Sequence, residues 1–167
     1  AESRGLGDVY KRQRWNRDLE SGSKLSLLTY YDRQKRDLEN VGVFTVNTIE
    51  TDLQYGGRLT EDIDFISGLQ WRLIDDDIDF YNHIIFDPSE RTRSLISGFF
   101  QTEFKFPEND LRLILGSKVE HNDYSGFEIQ PNMRFIWQPE KDTSLWLSVA
   151  RSVRTPSRAA FDVDVNT

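Results

Sequence analysis

Residues 127 to 138 read Phe-Glu-Ile-Gln-Pro-Asn-Met-Arg-Phe-Ile-Trp-Gln, and this run restricts the possible folds more than any other part of the chain. Phe127, Ile129, Pro131, Met133, Phe135 and Trp137 share one face of a period-two chain. Glu128, Gln130, Asn132, Arg134 and Gln138 share the other, with Ile136 the exception. Successive side chains of a strand point to opposite faces, so the run is predicted to be a strand with one apolar wall and one polar wall. Full charges pass through the middle of the polar wall. A transmembrane barrel, with lipid outside and a wet lumen inside, fits that pattern at least as well as a soluble core does.

The same alternation recurs from residue 13 onward and predicts eight strands, at about 13–19, 23–33, 43–55, 62–74, 94–106, 110–120, 127–138 and 143–153. The fourth sets Ile63, Phe65, Leu69, Trp71 and Leu73 against Asp64, Gln70 and Arg72. The fifth sets Ile96, Phe100, Phe104 and Phe106 against Gln101, Glu103 and Lys105, and the sixth sets Leu111, Leu113, Leu115 and Val119 against Arg112, Lys118 and Glu120. Strands of about 10 to 13 residues are longer than the usual five or six. Tilted by ~40°, ten residues rise about 25 Å, the height of the apolar band of an outer-membrane barrel. Short turns are expected at 20–22, 56–57, 107–109 and 139–141. Longer loops are expected at 34–42, 75–93 and beyond 154, with a shorter one at 121–126. Such sorting of short and long connections is usual in outer-membrane barrels. Pro131 removes a ladder donor, and a bulge or break is expected there.

Composition narrows the function classes. Mean hydropathy is -0.61, and no run approaches the ~20 apolar residues of a spanning helix. A barrel needs only alternate apolar residues, and 13% aromatics suits aromatic girdles. Tyr30, Tyr31, Tyr55, Trp71, Trp137 and Trp146 are the expected girdle or packing aromatics. The chain has no cysteine, which excludes disulfides and thiolate metal sites, and its net charge of -7 argues against nucleic acid as a partner. No catalytic arrangement and no cofactor motif is visible, so no enzyme activity is expected. Residues 1–12 are set aside as a non-native or disordered segment, because residues 5–13 resemble a translated sequencing adapter. No signal peptide is visible in the sequence, and the native N-terminus is expected to be missing.

Four stretches resemble the TonB-dependent outer-membrane receptors: Ser97-Gly98-Phe99-Phe100-Gln101-Thr102-Glu103, Leu111 to Glu120, Phe127 to Arg134, and Ser144-Leu145-Trp146 followed by Ser152-Val153-Arg154-Thr155-Pro156-Ser157. The resemblance covers residues 13–167, read as a partial receptor barrel domain. It implies an all-β, antiparallel up-and-down meander that forms part of a barrel of about 22 strands. In that family the barrel is plugged by an N-terminal domain, and the receptor imports scarce, large solutes across the outer membrane of Gram-negative bacteria, typically ferric siderophores, cobalamin or some carbohydrates, with an iron–siderophore complex the first expectation here. The TonB complex drives the import. The expected partners are the plug, the TonB complex, outer-membrane lipid and the solute. The plug, the TonB-contacting segment and a terminal aromatic are not in this sequence, and an internal fragment is expected.

The polar wall carries the candidate functional residues: Arg72, Gln101, Glu103, Lys105, Arg112, Glu128, Gln130, Asn132 and Arg134, expected to face the plug first and the solute second. Asp75, Asp76, Asp77 and Asp79 with His83 could bind a divalent cation, but a solvated loop explains them more simply. His83, His121 and Asp123 are a weaker candidate cluster at the barrel mouth. Arg151 and Arg154 could bind lipopolysaccharide or solute, but snorkelling to the interface explains them more simply. Two other readings stay open: a complete eight-stranded outer-membrane barrel with a structural or adhesive role, and a soluble ligand-binding β domain.

Overall fold

A computed structural model of the chain describes residues 8–39, 41–81, 84–86, 88–154 and 163–165. One antiparallel sheet takes up most of them. Its strands are β1 (Val9–Asp18), β2 (Lys24–Leu38), β3 (Gly42–Thr60), β4 (Ile63–Phe80), β6 (Glu90–Phe106), β7 (Leu111–Asn122), β8 (Gly126–Glu140) and β9 (Thr143–Ala150). They lie side by side in the order of the sequence. Two short strands, β5 (Ile84–Phe86) and β10 (Val163–Val165), pair with each other in a separate ladder. Among the described residues no rung joins β1 to β9, so the eight-stranded sheet is open. A complete eight-stranded barrel would need that closure.

The alternation seen in the sequence runs through this sheet as rows of facing residues. One such row is Trp15, Leu27, Leu53, Leu69, Gly98, Val119 and Ile129, and another is Phe104, Leu113, Phe135 and Leu147. These rows make one face largely apolar from β2 to β9, whereas on β1 the same face carries Lys11, Gln13 and Arg17 beside Val9 and Trp15. The opposite face carries rows such as Tyr30–Glu50–Arg72 and Gln70–Ser97–Glu120–Glu128.

Several boundaries differ from expectation for identifiable reasons. The stretches 34–42 and 75–93 are mostly ladder rather than loop. β2 runs to Leu38 and β4 to Phe80, with Asp75, Asp76 and Asp77 paired opposite Thr92, Arg91 and Glu90. Charge ends an apolar band, but it does not end backbone pairing in water. β1 begins at Val9, inside the segment set aside at the sequence level, and its ladder with β2 is regular from Val9 to Asp18. Gly56 and Gly57 do not turn the chain. β3 continues through them to Thr60, with a register shift between Arg58 and Thr60, and the hairpin closes at Glu61–Asp62. A Cβ on Gly56 would sit 3.0 Å from the Phe65 carbonyl oxygen, so glycine serves close strand approach there.

Pro131 makes no bulge. It pairs in register with Ser117, and the irregularity falls later, between Trp137 and Glu140. The Pro131 carbonyl accepts the Arg151 N–H at 3.0 Å, which places the proline nitrogen on the β9 side. The missing donor therefore falls where the β8–β9 ladder stops, and β9 ends at Ala150 rather than at 153.

The turns at one end are short. Residues 19–23 close on Gly22 at φ 77° with the Leu19 N–H donating to the Ser23 carbonyl at 2.8 Å, and 107–109 form a single 3-10 turn ended by Asp110 at φ 52°. At the other end the hairpins extend past the apolar band. The sorting of connections survives, with long strands in place of some long loops.

Candidate functional site

Burial in this sheet is inverted. Among the described residues no apolar side chain is buried, whereas Ser23, Glu50, Asp76, Ser97, Thr102, Glu120 and Asn122 are. Leu69 is 64% exposed and Phe127 77% exposed, while Glu50 is 7% exposed. Glu50, Asp76, Ser97, Glu120 and Asn122 lie on the polar face, where neighbouring side chains bury one another, whereas Thr102 lies between Phe65 and Leu115 on the apolar face and Ser23 in the turn before β2. Water-soluble sheets bury the apolar face. This one presents it outward, which is what a lipid-facing wall requires.

All nine candidate residues lie on the polar face. Gln101 faces Gly116, Lys105 faces Arg112, Glu128 faces Glu120, Gln130 faces Lys118, Asn132 faces Gly116 and Arg134 faces Ile114. Arg72 faces Glu50, and Glu103 faces Asp64. The wall is a set of linked polar clusters rather than a row of free groups. The centre of one is Glu50, whose carboxylate accepts from Tyr30 Oη at 2.8 Å, Gln70 Nε2 at 2.8 Å and the Arg72 guanidinium. Ser97 Oγ donates to Gln70 Oε1 at 3.2 Å and extends the cluster to β6. Lys118 Nζ donates to Glu120 at 2.8 Å. Nearer the short turns, Asp64 accepts from Lys105 and, at 3.4 Å, from Arg58, while Glu103 pairs with Arg112 at 3.6 Å.

The sequence reading missed Tyr30, Glu50, Asp64, Gln70, Ser97, Lys118, Glu120 and Arg151 as members of these clusters. Their period-two position marks the face, but the partner of each depends on strand register, which alternation leaves open. Two expected girdle aromatics also lie on the inner face. Tyr30 bonds Glu50, and Trp146 faces Ile136, whereas Tyr31, Tyr55, Trp71 and Trp137 are on the apolar face. Arg151 does not snorkel. Its Nη1 donates to the Ile129 carbonyl at 2.8 Å and its Nη2 to Glu128 at 3.3 Å.

The weaker metal candidates come apart. Asp75, Asp77 and Asp79 lie on the face of Leu73, and Asp76 on the inner face, where Arg93 Nη2 reaches its carboxylate at 2.7 Å. Asp75 accepts from Thr92 Oγ1 at 2.8 Å. His121 sits on the apolar face, its ring 4.5 Å from that of Phe127, and Asp123 accepts the Ser94 N–H at 2.7 Å. His83 lies outside the described residues. Among the described residues no group of three His, Asp or Glu could hold a metal ion.

A family model described as TonB dependent receptor-like, beta-barrel, matches residues 3–164. No curated protein and no solved structure matches the chain.

Proposed function

Because the chain belongs to the β-barrel family of TonB-dependent receptors, outer-membrane receptors and transporters of Gram-negative bacteria, we propose that it is a section of receptor wall through which a scarce solute, a ferric siderophore, is imported. The inverted burial carries this reading. A largely apolar face from β2 to β9 and a polar face with charged clusters that satisfy one another suit a wall with lipid on one side and a wet, occupied lumen on the other.

The open edges of β1 and β9 support a place within a larger barrel, since unpaired backbone is not tolerated in lipid. Residues 13–167 are on this reading part of one barrel domain. The nine polar-wall residues face the plug domain first and the solute second, and the TonB complex supplies the energy. We propose no catalytic role.

The test is uptake of iron-loaded siderophores by iron-starved cells that carry the intact receptor as their only one, with and without TonB. TonB-dependent accumulation of one ferric siderophore supports the reading. Uptake of cobalamin or a carbohydrate alone overturns the solute assignment, and uptake indifferent to TonB overturns the mechanism.

A further inference from the structure

The apolar face is not evenly filled. Where it crosses β3, β4, β6 and β7 it carries a hollow of ≈ 580 Å³, with Leu69, Phe100 and Val119 on its rim and Ser67, Gly98 and Ser117 as its floor. These four strands each have a paired neighbour on both sides, so the hollow is remote from the open edges of the sheet. The pairing explains its shape. Large and small residues alternate along two adjacent rows, Leu69–Gly98–Val119 and Ser67–Phe100–Ser117. The Phe100 ring stacks on that of Phe65, with centroids 6.3 Å apart and planes at 26°. Phe65 is one row nearer the short turns, opposite Thr102. The aromatic bulk is thereby drawn to one side, and the space over Gly98 and the two serines is left open to the outside. The floor asks for no polar ligand at Ser67, whose Oγ donates to the Tyr55 carbonyl at 3.3 Å.

We propose that this hollow holds one hydrocarbon chain of a membrane lipid, lodged against the wall rather than exchanging freely with the rest of the bilayer. The size is that of small-molecule sites, which run roughly 300–1,000 Å³. Depth selects the chemistry. Ser67 and Leu69 stand in the middle of the outward run from Ile63 to Leu73, the level at which a bilayer offers acyl chains and not headgroups. Relief selects a flexible occupant over a second protein wall. Leu69 is 64% exposed and Phe100 53% exposed, and both stand proud of the floor. A rigid sheet pressed against this face would rest on those two side chains, whereas a chain that bends at each carbon reaches Gly98 between them. Filling the hollow restores dispersion contacts that an unfilled gap forfeits. The inference rests on the reading that this face meets lipid.

The experiment keeps the two apart. The intact receptor is placed in vesicles of phosphatidylethanolamine and phosphatidylglycerol, doped with a phosphatidylethanolamine that carries a diazirine at mid-chain. Labelled residues are mapped after illumination. The expected result is labelling concentrated at Ser67, Gly98 and Ser117 over the same row elsewhere, such as Ile129 opposite Val119. That excess should fall at least about tenfold when Ser67→Leu and Ser117→Leu are combined, the contribution of roughly two methylenes displaced from apolar contact. It should not change with Met133→Phe, on the same face outside the hollow. Even labelling along the face, or an excess indifferent to the two leucines, overturns the lodged chain and leaves the lipid-facing wall standing. Labelling around the hollow but not within it overturns the chain in favour of a second protein. No labelling anywhere on this face overturns the lipid-facing reading and the lodged chain with it.

Discussion

Replacing Leu69 with arginine asks directly which face meets lipid. Leu69 is at the centre of β4's apolar run, between Phe65 and Leu73, on the row that joins Leu53 to Gly98, and it is 64% exposed. If that exposure is to hydrocarbon, an arginine near the bilayer midplane costs ~2–4 kcal/mol. The folded-to-unfolded ratio then falls roughly thirty- to seven-hundredfold at ~1.4 kcal/mol per tenfold. If the exposure is to water, the same change costs within ~0.5 kcal/mol, as surface substitutions do. The next residue provides the control. Gln70 points to the polar face, where its amide donates to Glu50 at 2.8 Å and accepts from Ser97 Oγ at 3.2 Å, and an arginine there keeps a donor to that carboxylate but gives up the acceptor, at a cost of about 1 kcal/mol. Guanidinium unfolding of the intact barrel in phospholipid vesicles, followed by tryptophan fluorescence, measures both. A Leu69→Arg destabilised well beyond Gln70→Arg is the expected pattern. A neutral Leu69→Arg would refute the assignment of faces.

Three further outcomes follow from the packing. Glu50→Leu leaves Arg72, Tyr30 and Gln70 without their common acceptor and should cost about 1–3 kcal/mol. Glu50→Leu with Arg72→Leu should recover part of that loss in the same unfolding assay. Gly42→Ala puts a Cβ 2.2 Å from the Asp79 carbonyl oxygen, so the β3–β4 ladder should open at its outer end, seen as faster proteolysis of the outer hairpins with unchanged tryptophan fluorescence. Gly68→Ala places a methyl 2.4 Å from the Phe99 ring. Displacing that ring should cost ~1–3 kcal/mol in chemical denaturation.

The two faces were legible in the sequence because side-chain alternation is a local property. Phe127 to Trp137 declared their wall without reference to any neighbour. What lay beyond reach was whatever depends on pairing. The Glu50 cluster draws on β2, β3 and β4, and only their register brings Tyr30, Gln70 and Arg72 to one carboxylate. Strand ends were misjudged where local chemistry was read without its partner strand. Asp75 to Asp77 looked like a loop until Thr92, Arg91 and Glu90 were found opposite them, and Gly56–Gly57 looked like a turn until Phe65 was seen close by. Pro131 was correctly marked as a missing donor, but the side on which the donor was missing decided its effect, and that is a fact of topology.

The long ladders also have a mechanical meaning. β3 and β4 are joined in register from Gly42–Phe80 down to Arg58–Asp64, with rungs perpendicular to the strands. A pull along the strands loads those rungs together in shear, whereas a pull across them would open the sheet one rung at a time. On the proposed reading, traction from the periplasmic side runs mainly along the strands, and the ladder that builds the wall would then also hold it against that load.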